Sequence, residues 1–409
     1  MRNYIQRTPF INDGYKLGGY IILLILFLVV GACNFSNKGF SSSNNTKQPV
    51  MGTSAPAVTP ALPLENTPTK SLSTTLHVSP TSSFPITTTN YLIPSMTKIK
   101  IPTNGAVSQI STASSQDIVA AGTNNGVWIY DIQTHKLIKS IAQGLPCSSL
   151  NFIPENNILA IGSPDGNIYW WNPDKDLFLG TINDHLLGVT HIVPIPNMPS
   201  LVSSSDDGRV IVWDVSSARE NKAPPSKKVF TNSAAQNRIS SLAASPDSRY
   251  IAIGTHRKVI ILSPAGNEVH QSFSRFFGWV RALTFSPDSK HLIIADGDLR
   301  ILFYSTNTWE QESSEIVDVP GEVTALSTHP DGSILAIGTD RGVIQIWEFN
   351  PPDFHLSETN TQKTILLSQA SAITDLRFDH QGTVLVASSD DGNIFFFPFV
   401  PVITIHEEP

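Results

Sequence analysis

A chain of 409 residues, 40% of them hydrophobic and 15% charged, has the apolar material for a large core and the length for one all-β domain of roughly 300 residues with a segment left over. Its net charge of −7 and the lack of any basic run exclude a nucleic-acid surface, because phosphate binding relies on clustered Lys and Arg. Two cysteines, Cys33 and Cys147, lie in segments of different character, which excludes a disulfide framework as the main source of stability.

The chain opens with Arg2, Arg7 and Lys16, followed by an apolar run from Tyr20 to Ala32 and then Cys33. A basic start, a short apolar stretch and small residues before a cleavage point make an export signal. Val30-Gly31-Ala32-Cys33 resembles a bacterial lipobox, and the resemblance implies that 1–33 is a signal whose Cys33 is lipidated and becomes the new N-terminus. The alternative is an uncleaved single-pass anchor, since Leu17 to Phe35 is long enough to span about 30 Å of hydrocarbon. The positive charges ahead of the apolar run place the following domain on the extracytoplasmic side of the cell membrane in either case. From 34 to 97, about half the residues are Ser, Thr or Pro and charges are sparse. That composition predicts a disordered tether with a root-mean-square reach of roughly 45 Å.

Beyond it the chain repeats. Ile110, Leu150, Ile192, Leu242, Leu283, Leu326 and Leu376 recur at spacings of 40 to 50 residues, each preceded by three positions by an apolar residue: Val107, Cys147, Val189, Ile239, Val280, Val323 or Ile373. Seven units at this period fit four-stranded propeller blades, and Cys147 fills a core position in its column. Turns follow the first strand at Ser245-Pro246-Asp247-Ser248, Ser286-Pro287-Asp288-Ser289 and His329-Pro330-Asp331-Gly332, where Pro presets φ and Asp bonds its own backbone. The third strands close on aromatics, Tyr130, Trp171, Trp213, Tyr304, Trp347 and Phe397. Two insertions, Ser216 to Lys228 and Asn350 to Lys363, account for the two longest spacings.

The third unit is the most complete. Leu201 to Val215 reads as two strands joined at Ser205-Asp206-Asp207-Gly208, ending in Trp213-Asp214, with the Asp-Gly pair favouring a tight hairpin turn. Through these hairpins, the Ser-Pro-Asp turns and the Trp-Asp ending, residues 98–402 resemble the WD-repeat β-propeller family. The resemblance implies an all-β, seven-bladed propeller of four-stranded antiparallel blades, leaving 403–409 as a tail. It also implies that His185, Ser203, Asp207 and Trp213 form a buried hydrogen-bonded tetrad. Of that tetrad Asp165 and Trp171 remain in the second unit, while Arg341 replaces the turn Asp in the sixth and Phe397 the Trp in the seventh. Lys98-Ile99-Lys100-Ile101 stands where a fourth strand precedes each later unit, so it is predicted to close the ring on the seventh blade, with Val402 to Ile405 the competing candidate.

Ser203, His185 and Asp207 are not a hydrolytic triad on this reading: the serine lies within a strand and no Gly-x-Ser-x-Gly is present. No His-x-His, His-Glu-x-x-His or paired-Cys spacing occurs, so neither a metal nor another cofactor is expected. The resemblance implies that loops between fourth and first strands, and between second and third, gather at one end of the channel and bind partners. There the chain offers Phe276, Phe277, Trp279, Leu186, Leu187, Arg238, Arg257 and Arg341, residue types that dominate interface energetics. The expectation is a monomeric, non-catalytic protein-interaction scaffold anchored at the membrane through its N-terminal lipid or helix. A propeller enzyme of lactonase or quinoprotein type with a channel site, or a carbohydrate- or envelope-binding protein, is the alternative.

Overall fold

The turn chemistry of the third unit shows how a blade is made. Gly208 takes a φ of 78°, its N–H donates to the Ser205 carbonyl at 3.1 Å, and Ser205 Oγ accepts from Asp207 N at 3.1 Å. This tight turn sets Ser200–Ser205 antiparallel to Arg209–Asp214 with Leu201 opposite Trp213. Val189–Ile195 and Ser226–Thr231 flank the pair and complete four strands.

The structure is a computed structural model; it describes residues 70–73, 87–93, 95–103, 105–154, 157–216, 226–231, 238–265, 268–273, 276, 278–349 and 363–405. Blade 3 is one of seven four-stranded antiparallel sheets. Blade 1 begins at Val107–Thr112, blade 2 at Ser149–Phe152, blade 4 at Ser241–Ala244, blade 5 at Val280–Phe285, blade 6 at Val323–Thr328 and blade 7 at Ile373–Phe378. The first strands line a central channel and the fourth strands form the outer rim.

Both faces of each blade are covered by its neighbours, so the second and third strands read as nearly continuous apolar runs rather than alternating ones. Among the described residues the core falls into seven apolar clusters, one at each junction between blades. The junction of blades 1 and 7 is typical: Val107, Ile110 and Trp128 pack against Val386, Ile394 and Phe396. Approach is close where the second strand carries glycine. A Cβ on Gly338 would lie 2.7 Å from Ile373 Cγ2 of the next blade.

The ring closes as expected: Thr97–Lys100 is the fourth strand of blade 7, with Ile99 opposite Ile394. The competing segment has another place. Val400–Ile405 pairs with Thr87–Ile93, which pairs in turn with Lys70–Ser73, in a separate three-stranded sheet. This corrects the reading of 34–97 as wholly disordered and of 403–409 as a tail. Thr87–Ile93 is rich in β-branched and aromatic residues, and Thr counted toward a disordered composition is also a strand former. Ile93, 7% exposed, joins the cluster between blades 6 and 7. The first insertion is also shorter than read, because Ser226 already begins the fourth strand of blade 3, as Lys363 begins that of blade 6. Residues 1–33, the lipidation candidate Cys33, and the rest of 34–69 lie outside the described residues.

Candidate functional site

In blade 3 the strands Ser200–Ser205 and Arg209–Asp214 bring Ser203 beneath Trp213, and the loop ahead of Val189 lays His185 over both. Trp213 Nε1 donates to Ser203 Oγ at 2.9 Å, Ser203 Oγ and His185 Nε2 are 2.7 Å apart, and His185 Nδ1 faces Asp207 Oδ2 at 3.4 Å. The network is satisfied when the serine hydroxyl donates to Nε2 and Nδ1–H to the carboxylate. Asp207 also accepts from Leu186 N at 2.8 Å and from Arg209 Nε at 2.9 Å. Burial opposes its charge, but these bonds outweigh burial and hold its carboxyl at about 2. Burial likewise pushes His185 below the usual imidazole range. Ser203 is wholly buried, so no substrate reaches it and the set ties the blade together.

Among the described residues no other blade repeats this set. In blade 2, Trp171 Nε1 donates to Asp176 at 3.2 Å, while Asp165 accepts from Asn167 N at 2.9 Å and from the Tyr169 hydroxyl at 3.1 Å; the two belong to separate networks. Blade 6 builds an equivalent from different residues. Trp347 Nε1 donates to Gln345 Oε1 and Gln345 Nε2 to Asp318 Oδ1, each at 2.8 Å.

The position after each apolar column residue faces the channel and reads Ser108, Ser148, Thr190, Ser240, Arg281, Thr324, Thr374 around the ring. Four of the hydroxyls stitch one blade to the next: Ser108 Oγ donates to the Cys147 carbonyl at 2.6 Å, Ser148 Oγ to Val189 at 2.5 Å, Ser240 Oγ to Val280 at 2.6 Å and Thr324 Oγ1 to Ile373 at 2.6 Å. Thr190 and Thr374 bond instead to Ser204 and Ser388 of their own blades, at 2.9 and 2.8 Å. Arg281 breaks the series and pairs with Glu322 of blade 6. Cys147 is buried in the cluster between blades 1 and 2. Burial pushes its thiol up to about 12, so it is a packing residue without nucleophilic character at neutral pH.

Above this ring the channel opens into a cavity of about 790 Å³ on the side of blades 3 to 5, lined among others by Leu187, His191, Asp206, Arg238, Trp279 and Arg281. Leu187 is 54% exposed. Arg238 bridges to Asp206 at 2.7 Å across the loops of blades 3 and 4. Trp279 stacks obliquely on His256, with ring centroids 5.0 Å apart. Of the eight loop residues singled out in the sequence, the structure therefore brings three together at the mouth: Leu187, Arg238 and Trp279. Leu186, 79% exposed, Arg257 and Arg341 are at the surface but do not line the cavity. Phe276 is a correction, since its side chain is 4% exposed and packs in the core between blades 4 and 5 beside Tyr304. Phe277 lies outside the described residues. Arg281 is also readable from the sequence as a channel-facing exception among small polar residues, whereas His191 is not: strict alternation sets Thr190 and His191 on opposite faces of the strand, and a bulge between Val189 and His191 lets both line the cavity.

A closed ring of seven four-stranded antiparallel blades with these channel-end loops makes the protein a seven-bladed β-propeller. Three of its stretches, 177–214, 315–348 and 360–397, match the family described as WD domain, G-beta repeat, so these three stretches are similar to WD40 repeats. Each match starts in or just before the fourth strand of one blade and ends in the third strand of the next. This offset between repeat and blade is what leaves Thr97–Lys100 to close the ring. The chain is 25% identical over 228 residues to periodic tryptophan protein 2 of Arabidopsis thaliana, covering 54% of this chain and 24% of that protein. It is 22% identical over 324 residues to human apoptotic protease-activating factor 1, covering 71% and 25%. Over 299 residues it is 22% identical to a U3 small nucleolar RNA-associated protein 18 homolog of Arabidopsis thaliana, covering 71% and 53%. The chain thus spans between about a quarter and a half of the length of these curated relatives. A chain of the solved mitotic checkpoint complex superposes with a TM-score of 0.63 at 17% identity, over 74% of this chain and 90% of that one, and shares the fold.

Proposed function

We propose that the chain is a non-catalytic interaction module that binds a protein or peptide partner at the channel mouth. In this reading it is a monomer, exported and held at the cell membrane by its N-terminal segment, through lipidated Cys33 or an uncleaved apolar span. The observation that carries the proposal is the mouth itself. Apolar Leu187 and Trp279 stand beside Arg238 in a cavity of about 790 Å³, large enough for several residues of an extended peptide and furnished with the side chains that anchor interfaces. A catalytic reading has less to draw on. Among the described residues no group of three or more His, Cys, Asp or Glu could hold a metal ion, and the channel carboxylate Asp375 is engaged by backbone N–H groups. None of the relatives named above is named as an enzyme, and repeat architecture alone assigns no function.

The test is capture from detergent-solubilised membranes, comparing the wild type with Leu187→Ser and Trp279→Ser after both are shown to fold. A protein retained by the wild type and lost by both variants supports the module and its mouth. Capture that ignores both substitutions moves the site elsewhere, and capture of polysaccharide in place of protein replaces the reading with an envelope-binding one.

A further inference from the structure

We propose that the channel beneath the mouth is an oxyanion site, which receives a carboxylate or phosphate group carried in through the mouth. It rests on the interaction reading above for the partner that carries that group. Below the mouth the channel narrows to a cavity of about 150 Å³, lined among others by Gln109, His191, Arg281, Asp375 and Arg377. At about 30 Å³ per water, this is room for one oxyanion and a few waters.

Two guanidinium groups, from blades 5 and 7, dominate its chemistry. Each is held through one nitrogen: Arg281 Nη2 by Glu322, and Arg377 Nη2 by Asp375 at 3.5 Å. The Nε of each is buried and has no hydrogen-bond partner. A buried donor left unmet is destabilising, and the fork of a guanidinium matches carboxylate and phosphate oxygens.

The wall does not meet this need. Asp375 Oδ2 accepts from Ile110 N at 3.3 Å, Gln109 Oε1 accepts from Leu150 N at 2.9 Å, and the stitching hydroxyls donate to carbonyls of neighbouring blades. The cationic groups of the wall are the two arginines, Arg281 beside Glu322 and Arg377 beside Asp375. Burial first, then Arg377 and Arg238, push His191 down to about 4, so at pH 7 it is neutral and offers an anion a hydrogen bond rather than a charge. The position of Arg281 points the same way. Six of the seven residues in its column carry hydroxyls, four of which sew adjacent blades, and at blade 5 that stitch is exchanged for a half-buried arginine. Structure alone gains little from the exchange, since a partly exposed ion pair contributes little to stability.

The test observes the arginine Nε–Hε resonances of the full chain in detergent, titrated with inorganic phosphate and, at equal ionic strength, with sodium chloride. Arg281→Lys and Arg377→Lys identify the two signals by their loss. The expected result is a saturable shift of both with phosphate only, with affinity reduced about tenfold or more in Arg281→Gln and unchanged in Arg257→Gln. Shifts that follow ionic strength without saturating, or that keep the wild-type affinity in Arg281→Gln, overturn the proposal. Competition by peptides carrying a central Glu, but not Gln, assigns the group to a peptide; saturation by phosphate with no such competition assigns it to a small anion, and either supports the site. A flat titration beside mutation-sensitive protein capture keeps the interaction module and removes the oxyanion site. Saturable shifts without capture do the reverse.

Discussion

Asp375 of blade 7 accepts the backbone N–H of Ile110 in blade 1 through Oδ2 at 3.3 Å, across 265 residues of sequence. The Thr112 hydroxyl donates back to the Phe378 carbonyl at 3.1 Å, so the last first-strand is sewn to the first on the channel side, while Thr97–Lys100 joins them on the rim. Asp375→Ala leaves the Ile110 and Leu376 N–H groups without their side-chain acceptor and is expected to lower stability by about 1–3 kcal/mol. Asp375→Asn keeps an acceptor and most of the stability. Urea midpoints of the two variants read the difference, and an Ala variant as stable as the wild type would show that closure does not depend on this bond.

Ser203 is the shared partner of Trp213 and His185 in blade 3. Ser203→Ala removes both bonds and leaves two buried ring nitrogens unmet, an expected loss of about 2–4 kcal/mol. The acid limb of stability should depend on Asp207 in the same network. Its folded carboxyl lies at about 2, below the ordinary 3.8. A depressed folded value stabilises above the unfolded value and loses that contribution as pH falls from about 4 through 2. Asp207→Asn should therefore be less stable than the wild type at pH 7 and lose less between pH 4 and 2. Melting profiles of equal steepness over that range would remove Asp207 from the acid response.

The ring was legible because its determinants are local. Pro, Asp and Gly fix the turns, the apolar columns fix the first strands, and Lys98-Ile99-Lys100 stands out as a fourth strand with no blade ahead of it. The accessory sheet was hidden because Thr87–Ile93 lies in a Ser/Thr/Pro-rich stretch, and its pairing with Val400–Ile405 joins segments that no spacing rule connects. The tetrad of blade 3 was readable from residue types at family spacing, whereas Gln345 and Asp318 of blade 6 are not the family's residues and only three-dimensional proximity reveals them. Phe276 and Trp279 look alike in sequence. They part because Phe276 reaches the junction with Tyr304, while Trp279 stays at the mouth beside His256.

Ile99 is part of the closing strand, opposite Ile394, and packs against the cluster shared by blades 1 and 7. Ile99→Asp puts a charge into that junction and should open the ring at its seam, with a loss of about 2–4 kcal/mol. Lys98→Asp, on the exposed face of the same strand, gives up the ammonium 5.4 Å over the Phe395 ring and should cost about 1 kcal/mol, less than Ile99→Asp. Hydrogen exchange would localise the effect. Amides of residues 393–397 should lose protection in Ile99→Asp before those of blade 3, and uniform loss across all blades would mean that the ring has no seam there.

Glu348 ends the third strand of blade 6 with 3% of its surface exposed, and neither carboxylate oxygen has a hydrogen-bond partner. Burial raises its carboxyl from 4.5 to about 7. With a folded value above the unfolded one, the neutral acid is the form the fold accepts. Stability is then fully present below about pH 4.5, falls as pH rises through 7, and stays reduced above it. The shift corresponds to a loss on the order of 2 kcal/mol at pH 8, allowing for solvent screening. Glu348→Met keeps the volume and removes the charge, a replacement buried sites accept well. Its melting temperature should exceed that of the wild type by a few degrees at pH 8, as about 2 °C or more per kcal/mol predicts for a domain of this size. At pH 5 the gap should close, because the wild-type acid is then neutral in the fold. A gap that stays constant from pH 5 to 8 would mean that the gain comes from packing alone and that Glu348 does not titrate in this range.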